Sequence, residues 1–158
     1  MELDLKQILD LIIKNKNRDA INELNKLIDK DDKNINYYHL RGISYLKLAE
    51  FTEAKNNFDK LVSLESKFPD VYNNLGVLYF TTGENELAIE NFRKAITLKN
   101  NFKQAIYGLI KALTHLNKSK LNGLNLINKH NEINKIVIDY SPDKYIEDSK
   151  IKDFFNEA

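Results

Sequence analysis

The sequence predicts an all-α solenoid of stacked antiparallel helix pairs, and three observations carry that reading. Distinctive residues recur at an offset of 34 positions. Apolar residues recur at helical spacing over 69–81 and again over 86–98, which predicts two amphipathic helices per repeat. Small residues recur where the two helices of a pair would meet. A repeat of this length is one helix pair that cannot bury its own apolar face, so stacked neighbours must supply the core.

The repeat is sharpest in the middle of the chain. Gly42 and Gly76 are 34 apart, as are Ala54 and Ala88, Phe58 and Phe92, Tyr38 and Tyr72, and Tyr45 and Tyr79. Glycine inside a helix costs roughly 1 kcal/mol relative to alanine. A glycine repeated at a fixed period is therefore read as a place where another helix comes close. Gly76 and Ala88 are the small residues of that contact, and Tyr72, Tyr79 and Phe92 fill the space around it.

With units starting at 1, 35, 69 and 103, the glycine position holds Ile8, Gly42, Gly76 and Ile110. The small position of the second helix holds Ala20, Ala54, Ala88 and Asn122, and the large apolar position after it holds Leu24, Phe58, Phe92 and Leu126. The first unit keeps its second-helix signature, whereas the fourth loses it. End units lack one neighbour, so atypical ends are expected. Between helices, Thr81-Thr82-Gly83-Glu84-Asn85 supplies turn chemistry with a glycine stop. Asn100-Asn101 punctuates the next junction, since asparagine tolerates the left-handed backbone region.

The pattern Tyr72-x-x-Leu75-Gly76-x-x-Tyr79 followed by Ala88-x-x-x-Phe92 resembles the tetratricopeptide repeat (TPR), with tyrosine in place of the family's first tryptophan. The unit before it differs mainly by Arg41 where leucine is usual. The resemblance spans about residues 1–131 and implies a right-handed solenoid over 1–136. It also implies a protein–protein interaction module, a scaffold or adaptor, that takes a peptide or partner helix in a concave groove lined by the first helix of each pair.

Carried onto this sequence, the groove positions include Asn36, His39 and Lys47 in the second unit. The third contributes Asp70, Asn73, Asn74 and Thr81, and the fourth Gln104, Tyr107, Lys111 and His115. Asn73 and Asn74 are the informative pair, because a carboxamide both donates and accepts and so suits gripping a peptide backbone. The carboxylate clamp of chaperone-binding relatives is disfavoured. Its positions fall on His39, Ile43, Asn74, Gln104 and Gly108, and only Asn74 matches.

After the fourth unit, 132–140 reads as a continuing helix and Ser141-Pro142-Asp143 as a break. Residues 137–158 are expected to form a C-terminal helical segment. Ile151, Phe154, Phe155 and Ala158 make a helical stripe there. The segment either caps the last repeat or links to a further domain. In the second case the array would position a polypeptide for a sulfotransferase, glycosyltransferase or 2-oxoglutarate-dependent oxygenase, enzymes that TPR arrays often precede. Self-association through the solenoid ends is a third reading, resting on the apolar stripe.

Other chemistries find little support. A net charge of +1 gives no global pull toward nucleic acid or an anionic membrane. The absence of cysteine removes disulfides, thiolate metal sites and cysteine nucleophiles. His39, His115 and His130 lack metal-ligand spacing, so no metal or cofactor is expected. No phosphate-binding glycine loop or nucleophile elbow occurs. Glu84/Glu86 and Glu147/Asp148 read as solvated helix-start charges, and Lys14, Lys16 and Arg18 as a loop rather than a nucleic-acid patch. The chain is not expected to be an enzyme on its own. The first residues lack a signal peptide's basic and apolar regions, and no apolar run nears the roughly 20 residues that cross a bilayer. A cytoplasmic protein is expected.

Overall fold

The structure, a computed structural model, describes residues 3–119. It has seven helices in these residues: α1 (Leu5–Ile13), α2 (Asn17–Lys30), α3 (Ile35–Lys47), α4 (Phe51–Leu64), α5 (Pro69–Thr81), α6 (Asn85–Leu98) and α7 (Lys103–Ser119). No strand occurs among the described residues. Odd-numbered helices open a unit and even-numbered helices close it. The second helix of the fourth unit, the boundary at 136 and the segment 137–158 lie outside the described residues.

The architecture is an all-α solenoid. Each helix packs on the next in chain order, and α5 also touches α3 and α7. No comparable contact joins α2 to α4 or α4 to α6. The odd-numbered helices are therefore crowded together on the inner side of the stack, and the even-numbered helices fan outward.

The seam inside each pair explains the recurring glycines. A Cβ placed on Gly42 would lie 2.4 Å from the Phe58 ring, and one on Gly76 would lie 2.6 Å from the Phe92 ring. Both rings are fully buried and have nowhere to move. The conformational cost of glycine in the helix is thus offset by a ring seated directly on the backbone. The fourth unit has no glycine at the repeat position, but a Cβ placed on Gly108, two residues earlier, would lie 2.5 Å from the Phe92 ring. Phe92 therefore packs closely against a glycine of α5 and a glycine of α7.

The tyrosines have a second function beyond filling space. Tyr38 Oη donates to the Asp32 carbonyl at 2.9 Å, and Tyr72 Oη donates to the Ser66 carbonyl at 2.8 Å. Each ties its helix to the turn that enters it. Lys60 lies over the Tyr38 ring and Lys94 over the Tyr72 ring, again one repeat apart.

The turns inside the pairs share one geometry. Asn15, Ala49 and Gly83 all take positive φ, at 57°, 59° and 87°. In each, the following residue's N–H closes back onto the helix: Lys16 to Leu11 at 2.8 Å, Glu50 to Tyr45 at 2.9 Å, and Glu84 to Tyr79 at 2.8 Å. These are Schellman closures, which require a left-handed residue and favour glycine or asparagine. Asn101 also takes positive φ, at 61°, in the turn before α7.

Arg41 replaces a core leucine without leaving its charge stranded. Its Nε donates to Asn57 Oδ1 and its Nη1 to Asn25 Oδ1, both at 2.7 Å, and its guanidinium lies over the Tyr38 ring. One side chain thereby joins α2, α3 and α4.

Candidate functional site

The inner face is built by the sides of α3, α5 and α7 turned away from the even-numbered helices. On these helices the core-facing positions bury Tyr38, Gly42, Val71, Tyr72, Leu75, Gly76, Ala105 and Leu109. The complementary stripe carries the residues that the sequence assigns to a groove. All eleven lie on helices of this face, exposed or half-buried.

Two clusters form across neighbouring helices. Near the start of α3 and α5, Asn74 Nδ2 lies 3.0 Å from His39 Nε2. The amide can donate to that nitrogen only when the imidazole is neutral and carries its proton on Nδ1. The edge of the His39 ring meets the Phe68 ring, with centroids 5.1 Å apart. Burial pushes the His39 pKa below the usual histidine value, against the pull of the Asp70 carboxylate. The neutral imidazole that the hydrogen bond needs is therefore favoured.

The second cluster sits toward the ends of α5 and α7. The His115 ring packs edge-on against Phe80, with centroids 5.8 Å apart, and its Nδ1 lies 3.2 Å from Asn85 Nδ2. Lys111 Nζ is 5.3 Å from the Phe80 centroid and 5.7 Å from that of Tyr107. A cation held against two ring faces is attracted by both while its stem covers apolar surface.

The remaining groove residues are more separate. Asn73 is half-buried, and its Oδ1 is buried with no hydrogen-bond partner among the described residues. Thr81 Oγ1 donates to the Val77 carbonyl at 2.8 Å. Asn36, Lys47 and Gln104 are exposed. Phe68, Phe80 and Asn85 complete the clusters and were absent from the sequence-derived set. Phe80 holds a groove position in the register, as an apolar residue among mostly polar ones. Phe68 and Asn85 stand in turns or at a helix start, where the repeat offers no signal.

No group of acidic or histidine side chains suited to a metal occurs among the described residues. No helix among them is long and apolar enough to cross a membrane.

Comparison with known proteins places this geometry. Residues 35–68 and 69–102 each match the tetratricopeptide repeat. No curated protein matches the sequence. Among solved structures, the chain is similar to MamA, with a TM-score of 0.73 at 24% identity, covering 89% of this chain and 77% of that one. It is similar to the second TPR domain of human RPAP3, solved with the HSP70 peptide SGPTIEEVD, with a TM-score of 0.63 at 21% identity, covering 68% and 89%. The TPR2B domain of yeast Sti1, solved in a pHsp70 complex, gives a TM-score of 0.65 at 18% identity, covering 68% and 91%. At these identities the likeness concerns the fold. Residues 35–102 thus form two tetratricopeptide repeats, in a helical array with the fold of solved TPR domains.

Proposed function

We propose that this protein is a non-enzymatic interaction module whose inner face takes a peptide segment of another protein. The observation that carries the reading is the composition of that face. Polar and aromatic side chains of α3, α5 and α7 meet across helix boundaries there, His39 with Asn74 and Phe80 with His115, at the edge of the core. Such mixed surfaces, with a few placed polar groups on a rigid scaffold, suit recognition. Solved TPR domains that hold HSP70 peptides support the same use of the fold.

In this reading Asn73 and Asn74 contact the ligand main chain. Asn73 offers its Nδ2 as a donor, its Oδ1 being buried. Asn74 keeps its Oδ1 for the ligand while its Nδ2 is held by His39. Asn36, His39, Lys47, Asp70, Thr81, Gln104, Tyr107, Lys111 and His115 line the remainder of the groove.

The test is capture of partners from a lysate by the wild-type chain and by the Asn73→Ala/Asn74→Ala variant. Loss of a hydrogen-bonding side chain should weaken binding by about 1–2 kcal/mol, so the variant should lose the partners that the wild type retains. Identical captured sets would defeat the groove assignment. Captured nucleic acid that washes off with salt would defeat peptide binding altogether.

A further inference from the structure

The repeat register divides the proposed groove into two unlike halves. Nearer the helix starts, its rows hold Asn36, Asp70 and Gln104, then His39, Asn73 and Tyr107. Nearer the helix ends, the ninth positions of the four opening helices are Leu9, Ile43, Val77 and Lys111. The thirteenth are Ile13, Lys47, Thr81 and His115. The second half is apolar at the α1 end and basic at the α7 end.

Exposure singles out the same half. Leu9, Ile13 and Val77 are 45%, 69% and 38% exposed. They are three of the five large apolar side chains that are exposed among the described residues, and all three fall on these two rows. Core packing does not account for them. Exposed apolar side chains aligned on one face of a scaffold mark an interaction surface.

Charge then selects the ligand. The groove positions carry Lys6, Lys47 and Lys111 against Glu2 and Asp70, and the ninth and thirteenth rows hold Lys47 and Lys111 with no carboxylate, whereas α2, α4 and α6 each balance their cations and carboxylates. Neither Lys47 nor Lys111 forms an ion pair among the described residues. Lys111 is held over Phe80 and Tyr107, beside His115, where it can meet a carboxylate without first being ordered.

We infer that the groove's ligand is an acidic, aliphatic-rich extended segment of a partner protein. It lies along the ninth and thirteenth rows, with its apolar side chains on Leu9, Ile13 and Val77 and its carboxylates at Lys47 and Lys111. The inference rests on the groove reading above and specifies its ligand. Adjacent helices stand ~10 Å apart and an extended chain advances ~3.3 Å per residue, so about ten residues reach from α1 to α7.

Four labelled peptides test it on the full chain by fluorescence anisotropy. The first alternates leucine and glutamate, the second replaces its glutamates with lysine, and the third replaces its leucines with serine. The fourth is this chain's own segment 141–158, which also mixes acidic and apolar residues. The first should bind at least about tenfold tighter than the second and third, and should weaken as salt rises. Lys47→Glu/Lys111→Glu should reverse the preference between the first two. Leu9→Ser/Ile13→Ser should weaken both of those equally. All these side chains are exposed, and melting curves check that the variants fold.

Equal binding of the first two peptides, or a preference that the lysine variant leaves unchanged, overturns the inference. Lysate capture that still depends on Asn73 and Asn74 would then leave the groove reading standing. Binding of 141–158 as tight as the first peptide, with the same variant sensitivity, overturns the assignment to a partner protein. Failure of every peptide, together with unchanged capture by the asparagine variant, overturns both readings.

Discussion

In the repeat 69–102 the position before the seam glycine is Leu75, a buried member of the core. In the repeat 35–68 the same position is Arg41, bonded to Asn25 and Asn57. Asn57 and Asn91 are themselves repeat partners and behave alike at one end. Each donates its Nδ2 to the carbonyl four residues back, at 2.8 and 2.9 Å. They part at the other end, because Asn57 is buried and its Oδ1 accepts from Arg41, whereas Asn91 is only half-buried. The turns differ too. Gly83 closes one pair and Ala49 the other, at nearly the same left-handed backbone angle. A repeat accepts a charge at a core position when its partners change with it, and it accepts a strained turn where the rest of the unit holds the chain in place.

The comparison breaks first at the seam. Phe92→Ala should cost roughly 3–5 kcal/mol, as for other buried rings. It should exceed Phe58→Ala, because Phe92 fills the space between two glycine-bearing helices and Phe58 meets one. Gly76→Leu should cost on the order of 1–3 kcal/mol or more by overpacking. Chemical denaturation of the three variants ranks them. Equal losses for the two phenylalanines would remove the distinction drawn for Phe92.

A smaller effect is expected at the polar substitution. Arg41→Leu restores the residue found in the neighbouring repeat, yet it should destabilise by about 1–3 kcal/mol, since Asn57 Oδ1 would be left buried without a donor. Adding Asn57→Leu to that variant should recover part of the loss, because an apolar pair leaves no unmet acceptor. A double-mutant cycle measures the coupling. Strict additivity would show that Arg41 and Asn57 act independently.

Smaller again is the turn. Ala49→Gly should stabilise by about 0.5–1 kcal/mol, as relief of the left-handed conformation outweighs the added freedom of the unfolded chain. Gly83→Ala should cost a similar amount. Thermal melts that shift in opposite directions would sharpen the equivalence of the two turns.

The smallest expected effect is the pH response of His39. Burial lowers its pKa in the folded chain, with Asp70 opposing, so the native state binds fewer protons than the unfolded state over that range. Stability from the neutral ring is complete above about pH 6.5, the ordinary histidine value. It is lost as pH falls from there toward the folded value. His39→Gln should flatten the stability profile in that window. Asp70→Asn should steepen it, because the carboxylate no longer favours the imidazolium. Unfolding curves across the window decide, and parallel profiles for wild type and His39→Gln would exclude the effect.

The helix pairs, their register and the seam glycines were legible in the sequence because each depends on a local pattern that the 34-residue step repeats. Gly42 and Gly76 announced close packing by recurring where a helix disfavours them. Gly83 and Asn101 announced turns by residue type. Much of the candidate face was legible as well, since groove positions follow from the same register.

Other features required the assembled helices. Gly108 stands two residues off the repeat position, so only the approach of α7 shows that it too packs against Phe92. Arg41 looked like a flaw in the pattern until Asn25 and Asn57 arrived from two other helices. The bond between Asn74 and His39 joins residues 35 positions apart. Period sets which side of a helix a residue occupies. It does not set which side chain of the next helix lies opposite, because that depends on how closely two particular surfaces pack. The sequence by itself determined an array of paired helices with one polar face, and tertiary packing decided which groups on that face engage one another.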